Sequence, residues 1–69
     1  MKASFKVWND KRIYVTLEGV SSYQAKKGLF VDITTGKANT NLRYNIGFKN
    51  KEEIAKIERE AIDFYKSTN

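Results

Sequence analysis

The sequence predicts an α+β fold in which about four antiparallel strands form one curved sheet and a single C-terminal helix packs on one face (ββββα). Two observations support this prediction. Four segments within the first 48 residues alternate apolar and polar residues with a period of two, which is typical of half-buried strands. From residue 51 onward the apolar residues recur at helical spacing instead. A chain of 69 residues has the size of one small domain, so we take 1–69 as a single unit.

The first two predicted strands span residues 4–8 and 12–18. In the first, Phe5 and Val7 share one face, and in the second the apolar residues fall at positions 13, 15 and 17. The second strand has the most regular alternation in the chain and is rich in the β-branched and aromatic residues that sheets favour. The three polar residues between them are typical of a hairpin turn.

The third and fourth predicted strands span residues 29–34 and 42–48. A long basic connection over 19–28 precedes the third strand, and a polar turn over 35–41 joins the two. Because these connections are too short for a crossover helix, we expect antiparallel pairing. The fourth strand is predicted to turn four residues toward the core: Leu42, Tyr44, Ile46 and Phe48.

The helix is predicted over residues 51–66. Asn50 suits the N-cap position, and Glu53 follows three residues later, as in a capping box. Acidic residues near the helix start also favour the positive end of the helix dipole. One stripe of the helix is expected to face the sheet through Ile54, Ile57, Ala61 and Tyr65.

The composition argues against most enzyme chemistry. The chain contains no His, no Cys and no Pro. It therefore lacks the commonest general base and the ligands of Cys/His zinc sites, and we expect no catalysis, no cofactor and no metal. The longest apolar run is three residues and the N-terminus has no apolar signal segment, so we expect a cytoplasmic protein without membrane association. Such a chain also fits a phage or plasmid gene product.

The positive charge is unevenly distributed along the chain. The net charge is +5, but residues 1–49 hold nine cations against three acids, and residues 50–69 hold four cations against five acids. With only one predicted helix, one sheet face is left uncovered, and an exposed apolar patch usually marks a contact site. That face is expected to carry cations, aromatic residues and some polar residues: Lys6, Trp8, Arg12, Tyr14, Thr16, Phe30, Asp32, Arg43 and Asn45.

Three interpretations of this face compete, and we favour a surface for single-stranded DNA or RNA. In that interpretation aromatic rings stack on bases and cations contact phosphates. The stacking residues are Trp8, Tyr14 and Phe30, and the phosphate contacts are Lys6, Arg12, Lys26, Lys27, Lys37 and Arg43. The second interpretation is a homodimer that packs through the same aromatics, and the third is packing of the aromatics against the 19–28 segment with Tyr23. A slip of one residue would turn Trp8 inward beside Phe5.

Two functions follow from these interpretations. The first is a small non-enzymatic nucleic-acid-binding protein. The alternative is a protein-interaction module, either a small homodimer or a phage-type inhibitor or accessory factor that docks on a larger protein.

The order of the predicted elements over residues 12–66, curved strands followed by one C-terminal helix, resembles the single-strand DNA-binding proteins related to positive cofactor 4. The Lys26-Lys27-Gly28 turn is similar to a basic loop of that family, and residues 29–33 are similar to a core strand. The Pro-Gly-Lys-rich turn of the family is missing. The resemblance implies a curved sheet that binds single-stranded DNA.

Overall fold

A computed structural model describes residues 2–68 and shows an α+β fold with the element order ββαβαα. The predicted class, an antiparallel sheet with a C-terminal helix, is confirmed. The prediction of about four strands is wrong, since the described residues form three strands and three helices. The elements are β1 (Ala3–Val7), β2 (Arg12–Leu17), α1 (Ser22–Lys26), β3 (Phe30–Asp32), α2 (Thr40–Ile46) and α3 (Lys51–Thr68).

The sheet has the order β1-β2-β3, and both strand pairs are antiparallel. Phe5 lies opposite Val15 in the first pair, and Tyr14 lies opposite Phe30 in the second. The predicted strands 4–8 and 12–18 are thus present with bounds shifted by one residue. The predicted strand 29–34 is shortened to three residues because Asp32 ends it. Its Oδ1 accepts hydrogen bonds from the backbone N–H groups of residues 34 and 35, at 2.8 and 3.3 Å.

The predicted fourth strand, 42–48, is wrong because residues 40–46 form helix α2 and residues 47 and 48 follow its end. The Asn39 side chain caps the helix by accepting a hydrogen bond from the Leu42 N–H at 2.8 Å. Leu42 and Ile46 are buried, and their spacing of four residues suits one face of a helix as well as one face of a strand. The predicted core residues Tyr44 and Phe48 are exposed, since Tyr44 lies on the outer side of α2 and Phe48 follows the helix end at Gly47.

The 19–28 segment, predicted as an irregular connection, contains the short helix α1. Ser21 caps it by accepting a hydrogen bond from the Gln24 N–H at 3.3 Å. The Tyr14 hydroxyl donates to the Ala25 carbonyl at 3.3 Å, which brings α1 to the sheet face opposite α3. The expectation that no helix reaches this face therefore needs correction, since α1 is hydrogen-bonded to it through Tyr14.

The hydrophobic core lies between the inner face of the sheet and helices α2 and α3. Apolar residues of β2 and β3 pack there against buried residues of both helices, and Phe5 and Phe64 close one side with ring centroids 5.9 Å apart. The predicted stripe of α3 is confirmed at Ile54, Ile57 and Ala61, which are buried, while Tyr65 is half-buried. The element order that resembled the positive cofactor 4 family is not the one observed, because α2 replaces the last strand.

Candidate functional site

Three aromatic side chains meet on the outer face of the sheet, and we call them the aromatic cluster: Trp8, Tyr14 and Phe30. The ring centroids lie 5.7 Å apart for Trp8 and Tyr14, 5.4 Å for Trp8 and Phe30, and 5.5 Å for Tyr14 and Phe30. These distances are typical of aromatic pairs in direct contact. The three residues predicted on one face therefore form a single continuous apolar surface, and Trp8 lies outward, away from Phe5.

The backbone and the neighbouring chain position each ring of the cluster. Tyr14 and Phe30 are directly opposite each other in the β2–β3 register. Trp8 follows β1, and its N–H donates to the Arg12 carbonyl at 3.0 Å, which holds the start of the hairpin turn in place. Phe30 packs on Gly28, where a Cβ atom would lie only 2.5 Å from its ring. Tyr14 and Phe30 are half-buried, whereas Trp8 is 56% exposed.

Three cations border the aromatic cluster. The Arg12 guanidinium carbon lies 5.5 Å from the centroid of the Phe30 ring, within the range of a cation–π contact. Lys6 is exposed and lies opposite Tyr14 in the β1–β2 register. Lys37 lines a cleft of about 340 Å³ together with Arg12 and Phe30. One acid, Asp32, lines the same cleft and lies opposite Arg12 in the β2–β3 register, so the outer face combines flat rings with a net excess of positive charge.

The remaining predicted cations lie away from the cluster. Lys26 and Lys27 are exposed at the end of α1, where the Lys27 Nζ lies 4.6 Å from the Tyr23 ring centroid. Arg43, predicted on the outer sheet face, is on α2 instead. Asn45, predicted beside it, donates from Nδ2 to the Asn41 carbonyl at 2.8 Å within the same helix. Both corrections have one cause, which is that residues 42–48 do not extend the sheet.

The sequence reasoning missed a second pair of exposed aromatics, which we call the α2 pair: Tyr44 on α2 and Phe48 just after its end. Tyr44 is 63% exposed and Phe48 is 53% exposed, and their ring centroids lie 6.1 Å apart. The signal that identifies them was present in the sequence. Asn39 is a good N-cap, Leu42 and Ile46 are spaced by four residues as on one face of a helix, and Gly47 suits a helix end.

No protein-family model, curated protein or solved structure matches the chain. Across residues 2–68, acidic side chains do not gather into a group of three or more that would hold a metal ion. None of the helices in that range is both long and apolar enough to cross a membrane.

Proposed function

We propose that this protein binds single-stranded nucleic acid on the outer face of its sheet and carries out no catalysis. The observation that carries the proposal is the aromatic cluster, in which three rings in mutual contact are bordered by cations and Trp8 is 56% exposed. Stacking of a base on an aromatic ring is worth about 1–3 kcal/mol. Arg12, Lys37 and Lys6 would contact the phosphates beside the stacked bases.

A single strand suits this surface better than a duplex. Aromatic rings stack on bases only where the bases are unstacked from one another, as in single strands and loops. Duplex DNA is most often read by a basic helix in the major groove. The long helix α3 is a poor candidate for that role, because it carries five acidic residues against four cations.

Trp8 fluorescence tests the proposal directly, because Trp8 is the single tryptophan of the chain. Adding oligo-dT to the protein at low salt is expected to quench it. Arg12→Ala should weaken the binding, since it removes a phosphate contact beside Phe30. Lys56→Ala is the matched control, because this exposed cation lies on α3, on the other side of the sheet. The proposal fails if micromolar protein shows no quenching, or if the two variants bind equally.

A second candidate function, a protein-interaction module, is favoured by the apolar end of β1. Val7 is 38% exposed beside Trp8, and β1 is an edge strand of the sheet. A homodimer or a complex with a larger protein through this end would bury both side chains. For the homodimer, sedimentation of the wild type beside Trp8→Ala decides the question: a dimer that the substitution dissociates supports it, and a monomer at micromolar concentration argues against it.

A further inference from the structure

The α2 pair, Tyr44 and Phe48, is exposed on the surface of the domain. Leu42 and Ile46 supply the apolar face that α2 packs against the core, so Tyr44 and Phe48 contribute little to the interior. A small domain has few large apolar side chains, and two of them lie together on its surface. Exposed apolar side chains that lie together in one patch often mark a contact site.

Positive charge surrounds this pair. One open cleft of about 510 Å³ contains Tyr44 and Phe48 beside Lys27. A second cleft of about 600 Å³ places three cations around the other side of Phe48: Lys37, Arg43 and Lys51. The one acidic residue of these clefts, Glu58, accepts a hydrogen bond from the Ala38 N–H at 2.7 Å, so its carboxylate is engaged with the backbone. The occupant complementary to this surface is therefore anionic and carries flat rings.

Lys37 connects this surface with the outer face of the sheet. It lines the cleft that contains Arg12 and Phe30, and it also lines the cleft that contains Arg43 and Phe48. The two aromatic surfaces are therefore neighbours, and a cation lies on the path between them. A chain of regularly spaced anionic groups would contact both surfaces at once.

We infer that Tyr44 and Phe48 form a second stacking site for the same nucleic-acid strand that binds the aromatic cluster. This inference rests on the proposed function and extends it. Bases at one end of the strand stack on the cluster, and bases further along stack on the α2 pair. Lys37 and Arg43 contact the phosphates between them. Cations and flat rings lie side by side on this surface. This combination matches the phosphates and bases of nucleic acid better than it matches an acidic-apolar protein segment.

The test compares two oligo-dT lengths, one of about four nucleotides and one of about twelve, which span the usual site sizes of single-strand binders. The short oligonucleotide is expected to occupy only the aromatic cluster, whereas the long one reaches the α2 pair. Phe48→Ala should lower the affinity for the long oligonucleotide by at least about fivefold, the loss of one stacked base, and leave the short one unchanged. Arg43→Ala should do the same through a lost phosphate contact, with Lys56→Ala as the control.

The outcomes separate the inference from the proposed function. If the wild type binds both lengths and Phe48→Ala binds the long one as tightly as the wild type, the second stacking site does not exist. A loss that is equal for both lengths also overturns it, since the substitution would then act on the cluster itself. If the wild type binds neither length, the proposed function fails. A circular-dichroism spectrum identical to that of the wild type confirms that the variant is folded.

Discussion

Gly28 lies against the Phe30 ring of the aromatic cluster, and its replacement tests how the cluster packs. Its φ is +94°, and a Cβ atom there would lie 2.5 Å from Cε2 of Phe30. An alanine therefore meets two separate penalties, one from the backbone and one from the ring. Gly19 offers a matched control, because its φ is +87° and nothing lies within 4 Å of the position that a Cβ would occupy.

The expected magnitudes follow from these two environments. At either glycine, an alanine in the positive-φ region costs about 1–2 kcal/mol. At Gly28 the Phe30 ring must also leave its place, which adds about 1–3 kcal/mol, as for overpacking of a filled site. Gly28→Ala should therefore destabilise the fold by about 2–5 kcal/mol, and Gly19→Ala by only about 1–2 kcal/mol.

Urea unfolding followed by circular dichroism measures both free energies, and Trp8 fluorescence reports on the cluster. Because the Trp8 ring centroid lies 5.4 Å from that of Phe30, Gly28→Ala should shift the native emission spectrum, whereas Gly19→Ala should leave it unchanged. Gly28→Ala should also bind oligo-dT more weakly. Equal destabilisation by the two substitutions, with unchanged native emission, would refute the packing of Phe30 on Gly28.

Substitutions at three further positions test other parts of the fold, each by urea unfolding. Asn39→Ala should cost about 2 kcal/mol, because its side chain caps α2 and also donates to the Gly28 carbonyl at 3.1 Å; Asn39→Asp, which keeps the cap, should cost less. Ile57→Ala should cost about 2–5 kcal/mol, since Ile57 is 1% exposed in the core. Tyr14→Phe should cost about 0.5–1.5 kcal/mol through the lost hydrogen bond to Ala25 and leave oligo-dT binding unchanged.

The hairpin and the C-terminal helix were predictable because local pattern and tertiary packing agree there. In β2 the alternation of Ile13 and Val15 with polar neighbours matches the observed burial, and only a strand accounts for it. In α3 the acidic first turn and the stripe through Ile57 both indicate a helix. Only the bounds of these elements differ from the prediction, by one or two residues.

The fourth strand was mispredicted because its pattern fits two periods. Leu42 and Ile46 lie on one face of a helix and on one face of a strand, so burial alone does not distinguish them. Tyr44 and Phe48 completed an apparent alternation that has nothing to do with the core. The cap at Asn39 decides for the helix, and it also fixes Gly28 through a hydrogen bond that no local pattern reveals.

In the candidate site, too, the features set by local sequence pattern were predictable and those set by tertiary contacts were not. Tyr14 and Phe30 share the outer face by strand parity alone, so their pairing was predictable. The contact of the Tyr14 hydroxyl with Ala25 depends on a five-residue helix, which is too short to give a clear periodic signal. The α2 pair was missed because the secondary structure of its segment was mispredicted. The cations beside it, Lys27, Lys37 and Arg43, were among the predicted phosphate contacts.

The most direct test of the central claim is the salt dependence of Trp8 quenching by a short oligo-dT. Three cations, Lys6, Arg12 and Lys37, border the aromatic cluster. If they contact phosphates, the logarithm of the binding constant should fall linearly with the logarithm of the salt concentration. The expected slope is about −2, because each of the three contacts on a single strand contributes about −0.7. We predict quenching at low salt with that slope. An absence of quenching, or quenching that salt does not change, would contradict the assignment of the outer sheet face as a single-strand binding surface.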